Sequence, residues 1–206
     1  AATLDKDLVA VVWDLATGKK RGTIKLNERF NANLTISPDA QWLSTSSSLG
    51  EVIVWDIESG ERAKAFPRAK VPKGISRLAI SPDGNWLAGA EQNGGIRVWD
   101  LKVAAAGSET KLLTSDTPLR AIELRFLSNS KQMLTADADG TIHEWDIEVG
   151  ESKVVCTTDL EPLNSFVLSA DEKVVAVGSN ENSKVLVYDL ESGKLTKSLD
   201  VGEARF

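Results

Sequence analysis

A chain of 206 residues with 42% hydrophobic side chains is long enough to bury a sizeable core. Its formal charge of -6 and pI near 5.0 argue against a broad nucleic-acid surface, because phosphate binding needs clustered cations that displace counterions. With one cysteine, Cys156, and one histidine, His143, the chain can form neither an internal disulfide nor a Cys/His cluster of metal-site spacing.

No apolar run approaches the length of about eighteen residues that a membrane span needs, and no basic-plus-apolar leader opens the chain. That favours a cytoplasmic setting, provided no leader has been lost upstream of Ala1, which is not an initiator Met. Ala1 to Asp5 aligns with Leu87 to Glu91 when tryptophans are superposed, so the chain is expected to begin inside a strand. Val9 to Trp13 is the next predicted strand. Asp14-Leu-Ala-Thr-Gly-Lys then reads as a turn, and it recurs as Asp56-Ile-Glu-Ser-Gly-Glu, Asp146-Ile-Glu-Val-Gly-Glu and Asp189-Leu-Glu-Ser-Gly-Lys. In each, Gly supplies a positive φ four residues after an Asp whose carboxylate can accept turn N–H groups. The copy at Asp100 to Gly107 carries an insertion that includes Ala104 to Ala106, as loop tips tolerate.

Outer strands are predicted after these turns, at Arg21 to Leu26, Arg62 to Phe66, Lys111 to Thr114, Lys153 to Thr157 and Lys194 to Leu199. The strands that follow read Asn33-Leu-Thr-Ile, Arg77-Leu-Ala-Ile, Glu123-Leu-Arg-Phe and Ser165-Phe-Val-Leu. They end in Ser37-Pro-Asp-Ala, Ser81-Pro-Asp-Gly and the degenerate Ser128-Asn-Ser and Ser169-Ala-Asp-Glu turns. Gln41 to Thr45, Asn85 to Ala90, Gln132 to Ala136 and Val174 to Gly178 come next. The unit is completed by anchor strands that end in Trp13-Asp14, Trp55-Asp56, Trp99-Asp100, Trp145-Asp146 and Tyr188-Asp189. The anchors are 42, 44, 46 and 43 residues apart, a period that marks a stacked or radial repeat. Four-stranded units are expected at about 31–70, 75–114, 119–157 and 163–199, with a partial unit at 1–26 and the start of another at 200–206. Val52-Ile-Val-Trp and Val185-Leu-Val-Tyr are apolar at every position, so both faces of these sheets should be covered.

The repeated strand-ending Trp-Asp, the Ser-Pro-Asp-Gly turn and this period resemble the WD-repeat β-propeller family across essentially the whole chain. The resemblance implies an all-β propeller of four complete blades plus one incomplete blade, within a larger ring than five. A five-bladed closure would leave the channel-side edge of a blade unpaired. It also implies a non-enzymatic scaffold that binds another protein through one rim. The family pattern often places a Gly-His pair ahead of the inner strand, in a network of Asp, His, Ser or Thr, and Trp. No His stands there in this chain. The turn position six residues before the Trp holds Asp7, Leu49, Asn93 and Asp139, so full internal networks are not expected.

Motifs for catalysis are missing: no Gly-x-Ser-x-Gly, phosphate loop, His-Glu-x-x-His or Cys-x-x-Cys occurs, and no cofactor is implied. His143 takes the strand position held elsewhere by Val11, Ile53, Arg97 and Leu186, which reads as a partly buried residue and not a general base. Asp137-Ala-Asp139-Gly140 lacks the further acidic ligands of a calcium loop and reads as a turn. The Asn33-Leu-Thr sequon falls on an inner strand and is incidental. Glu144 and Arg125 replace apolar residues of the other units, so they are expected to compensate each other within the protein, with Glu123 and His143, the alternative being that this blade face meets solvent, a neighbour or a ligand. Arg62, Lys64, Arg68, Lys70 and Lys73, with Pro67 and Pro72, form the one basic stretch, and it is the candidate partner-binding segment. Propeller topology would put its loop on the rim that carries Leu49, Asn93 and Asp139. The alternative function is a propeller enzyme or small-ligand binder that uses the central channel.

Overall fold

The computed structural model describes residues 1–26, 30–47, 50–66, 74–92, 94–102, 110–114, 120–181 and 183–202, with the side chains at 30–32 and 110 left out. Every regular element among them is a strand. The first sheet has three strands, β1 (Ala2–Leu4), β2 (Val9–Trp13) and β3 (Lys20–Lys25). Four four-stranded sheets follow. The second blade is β4 (Phe30–Ile36), β5 (Trp42–Ser47), β6 (Val52–Asp56) and β7 (Arg62–Phe66), and the third is β8 (Ile75–Ile80), β9 (Trp86–Glu91), β10 (Ile96–Asp100) and β11 (Thr110–Leu113). The fourth blade is β12 (Ala121–Phe126), β13 (Gln132–Asp137), β14 (Thr141–Asp146) and β15 (Ser152–Thr157). The fifth is β16 (Ser165–Leu168), β17 (Val174–Gly178), β18 (Lys184–Asp189) and β19 (Leu195–Asp200). Strands pair antiparallel in sequence order, and the inner strands β4, β8, β12 and β16 contact one another in turn. This is the propeller expected from the repeat.

Local chemistry explains the hairpins. Asp56 Oδ1 accepts the Ser59 N–H at 2.7 Å and the Ser59 hydroxyl at 2.8 Å, while the Gly60 N–H returns to the Asp56 carbonyl. Asp14 with Thr17, and Asp189 with Ser192, repeat this arrangement. Gly60 closes its turn with φ +73°, and a Cβ there would meet the Thr23 carbonyl of the preceding blade at 2.8 Å. On the same rim, after the inner strands, the Ser37 hydroxyl donates to Asp39 and the Ser81 hydroxyl to Asp83, while the same oxygens accept the Trp42 and Trp86 N–H groups.

The apolar cores lie between sheets. Leu43, Ile53 and Trp55 of the second blade pack on Ala10, Val12, Ile24 and Leu26 of the first. Trp99 and Leu87 pack on Val52, Val54 and Phe66. Trp145, Met133 and Phe126 pack on Ala88, Val98 and Leu113, and Tyr188, Val175 and Leu186 on Ala136, Ile142 and Cys156. Thus the aromatic anchor of each blade from the second onward is buried by the blade before it. Trp13 is the exception at 37% exposed, because no blade precedes it in the structure.

A polar contact recurs at the same junctions. Lys64 Nζ donates to the carbonyl of Leu101, the residue after Trp99-Asp100, and Lys111 Nζ donates to the equivalent Ile147 carbonyl at 3.2 Å. At the first junction Gly22 takes the lysine's place opposite Val12, and a Cβ there would lie 2.0 Å from the Ile57 carbonyl. Only glycine admits so close an approach.

Truncating Trp55 or Trp145 to Ala should cost about 3 to 5 kcal/mol, the range for emptying a large buried aromatic site. Urea denaturation of the two variants measures the cost. The turn carboxylates make a separate prediction. The Ser59 N–H and hydroxyl lower the Asp56 pKa, the Thr17 N–H and hydroxyl lower that of Asp14, and the Ser192 hydroxyl and N–H lower that of Asp189. Their contribution is complete above the usual carboxylate range and is lost as pH falls through the depressed folded values. Melting temperature should therefore drop on acidification, and Asp56→Asn should flatten part of that slope.

Candidate interaction rim

Strand alternation gives the propeller two unlike rims. One carries the turns after the inner strands and the Asp-x-x-x-Gly hairpins, and its polar groups hold neighbouring blades together. There the Ser130 hydroxyl accepts the Asp83 N–H at 3.0 Å, and Glu172 accepts both the N–H and the hydroxyl of Ser128 at 2.6 and 2.8 Å. The opposite rim carries the outer-to-inner connections and the turns between the second and third strands. Two adjoining depressions open on it. The first, about 670 Å³, is lined by Ser76, Arg77, Glu91, Gln92, Arg120, Ala121 and Ile122. The second, about 430 Å³, is lined by Arg120, Ala138, Asp139, Glu161 and Pro162. Arg120 lines both, and it is exposed, as are Asp139 and Glu161.

Ion pairs of a kind the sequence reading missed lie beneath this rim. Glu91 Oε1 accepts from Arg97 Nε at 2.7 Å and lies 2.6 Å from Nη2, with both side chains largely buried. In the next blade the corresponding residues are Asp137 and His143, 2% exposed each, with Nδ1 to Oδ2 at 3.0 Å. Asp137 Oδ1 and His143 Nε2 have no partner among the described residues. The signal was present in the sequence as an acid six residues before a base, at equivalent places in two units. Beside them the Trp145 indole N–H donates to Thr135 at 3.0 Å, as Trp55 does to Thr45 and Trp13 to Thr3 at 2.9 Å. Part of the polar network expected to be incomplete therefore survives, and in the fourth blade its imidazole comes from the anchor strand. In the third blade Gly89 replaces the threonine, since a Cβ there would meet the Trp99 ring at 2.9 Å.

Within the predicted basic segment one correction is needed: Arg62 and Lys64 belong to the outer strand expected at Arg62 to Phe66, now β7, and so are not part of the loop that follows it. The Arg62 guanidinium covers the Trp55 ring 5.4 Å from its centroid, and Lys64 is the junction donor already described. Arg62 thus contacts its own cross-strand partner, and Lys64 reaches the next blade. Arg68, Lys70 and Lys73 lie outside the described residues, as do Leu49 and Asn93. A second correction concerns Glu144. Register puts Arg125, Leu134, Glu144 and Lys153 in one row across the fourth sheet, so Leu134 separates the two residues expected to pair. Glu144 Oε1 is instead 3.0 Å from Lys153 Nζ and accepts from Gln132 Nε2 at 2.7 Å, while Arg125 is exposed. Because Glu144 takes Lys153, the lysine-to-carbonyl contact of the earlier junctions is not made by Lys153.

The other candidates read as structural. Asp139 Oδ1 accepts the Thr141 N–H at 3.0 Å, a turn contact, and no three His, Cys, Asp or Glu side chains converge among the described residues. Asn33 Nδ2 donates to the Ser76 carbonyl at 2.6 Å, bridging two inner strands. Burial pushes the Cys156 thiol up to about 11, leaving it a packing residue.

Strand-ending Trp-Asp anchors on four-stranded blades, with an open rim between connections, define a WD-repeat β-propeller, a class that typically binds other proteins. Within that class the chain belongs to the family of nucleolar protein 10-like N-terminal β-propeller domains, whose model matches residues 7–188. It is 36% identical over 70 residues to an uncharacterized WD repeat-containing protein of Schizosaccharomyces pombe, a match covering 34% of this chain and 17% of that protein. It is 41% identical over 54 residues to the small ribosomal subunit protein RACK1z of Arabidopsis thaliana, covering 26% of this chain and 16% of the relative. The matched segments thus span about a sixth of each relative's length.

The buried pair of the third blade should behave as a unit. Arg97→Ala leaves Glu91 buried beside a void and should cost about 3 kcal/mol or more, whereas Glu91→Leu with Arg97→Leu should cost much less. Denaturant melts of the single and double variants make the comparison.

Proposed function

We propose that this protein is a non-catalytic platform that holds a partner protein on the rim of outer-to-inner connections. The observation that carries this reading is the pair of adjoining depressions that share Arg120 on that rim. The opposite rim engages many of its polar side chains in its own turns and in bonds between neighbouring blades. Around the depressions, by contrast, Arg120 and Glu161 make no side-chain hydrogen bond or ion pair among the described residues. Short connections anchored on rigid sheets lose little conformational freedom on binding, so contact energy goes into affinity. Channel catalysis has no comparable support, since the one imidazole is buried against Asp137 and out of reach of a substrate.

Photo-cross-linking distinguishes the rims. A photoreactive residue placed at Arg120 or Glu161 should give adducts with one recurrent partner, and one placed at Thr17 or Ser192 on the other rim should not. Equal adducts from both rims, or adducts confined to the Thr17 and Ser192 side, would overturn the proposal.

A further inference from the structure

We propose that the two rim depressions receive one extended peptide segment that carries both signs of charge. Its acidic side chain would lie in the depression of Arg77 and Arg120, and its basic side chain against Asp139 and Glu161. This rests on the rim reading above and adds the chemistry and polarity of the occupant.

The argument starts from which charges are available. Glu91 lines the first depression, but its carboxylate is held by Arg97 and is largely buried, so it adds little negative field. Arg77 and Arg120 then dominate. Arg77 has an intramolecular competitor, Glu123, at 3.9 Å, but both side chains are about half exposed. Such a pair is weak in water, so a carboxylate of a bound segment can replace it at little cost. In the second depression only one oxygen of Asp139 is engaged among the described residues, by the Thr141 N–H, and Glu161 is exposed. Ala138 and Pro162 supply apolar surface between these acids.

Arg120 lies where the two fields meet. A segment of uniform negative charge would gain at Arg77 and Arg120 but be repelled by Asp139 and Glu161, and by the net charge of -6. A uniformly positive segment meets the reverse. Only an occupant with opposite charges in sequence satisfies both depressions, and its charge order sets its direction along the rim. A nucleic-acid strand, negative throughout, fits one half alone.

The test uses fluorescent synthetic peptides of equal composition. One carries two Glu at its N-terminal end and two Lys at its C-terminal end, another has the reverse order, and controls are all-Glu, all-Lys and a single-stranded RNA oligomer. Anisotropy titrations should show both mixed orders binding at least about threefold more tightly than each single-sign probe, with the preference fading at high salt. Arg77→Gln with Arg120→Gln should abolish the preference over the all-Lys probe while leaving the melting temperature unchanged. Mixed probes that bind no more tightly than single-sign ones, stronger binding of RNA, or a preference that survives Arg77→Gln with Arg120→Gln would overturn the inference. If mixed charge gives no advantage but cross-links still form from position 120 and not from position 17, the rim reading stands without it. Loss of that contrast removes both.

Discussion

Each apolar core of this protein belongs to two sheets at once. The aromatic that ends one blade's third strand is covered by the opposing face of the blade before it, as with Trp55 on Ala10, Ile24 and Leu26. A twisted four-stranded sheet cannot shield both of its faces, so burial and therefore stability are properties of junctions. The other regularities serve this constraint. The third strand β6 is apolar on both faces because both meet neighbours, while β10 and β14 admit Arg97, His143 and Glu144 with polar partners. Hairpins are held short by the Asp and Gly pairs, and Gly60 and Gly193 lack side chains where the turn presses on the preceding outer strand. Junction carbonyls that would otherwise be left without a donor are met by Lys64 and Lys111, or approached directly at Gly22.

Much of this was legible in the sequence because its signals are local and repeated. The spacing of Trp13, Trp55, Trp99, Trp145 and Tyr188 set the unit, and the Asp14, Asp56 and Asp189 turns adopt the geometry their residue types demand. Contacts between sheets were less legible. Lys64 looked like part of a basic loop because its partner, the Leu101 carbonyl, is 37 residues away in the chain and has no residue-type signature. Glu144 was matched to Arg125 by their shared departure from the apolar pattern. Register inserts Leu134 between them and gives Glu144 a nearer partner across β14 and β15. The Glu91 and Arg97 pair could have been found, since an acid and a base recur six residues apart in two successive units. The depressions could not, because they are formed by strand ends and turns of the third and fourth blades and the connection that leaves the fourth, residues far apart in the chain.

The fourth blade shows how one substitution alters a junction. Where Val54 and Val98 leave the facing lysine free to reach the next blade, Glu144 draws Lys153 back to its own sheet. This junction is still tied at its edge by Glu172 on Ser128 and is filled by Tyr188, Leu186 and Ile142. The charged side chain is tolerated because it is only partly buried and has two partners, so its desolvation is offset.

The division of labour between the rims follows from the same constraint. Polar side chains at the ends of a propeller can satisfy their own turns, bridge to the next blade, or remain in water. On the hairpin side the first two uses predominate: Asp14, Asp56 and Asp189 hold turn N–H groups, Ser130 and Glu172 bridge blades, and Lys64 and Lys111 reach junction carbonyls. A partner docking there would have to break bonds that stabilise the fold. On the connection side Arg120 and Glu161 are exposed, and Arg77 has an exposed pair with Glu123 and one bond to the Ser76 carbonyl. A partner that replaces water there exchanges one set of hydrated contacts for another and leaves the junctions intact. Under the proposed rim reading, binding energy and folding energy fall on opposite ends of the same sheets, so surface charges on the connection side can vary without loss of the fold.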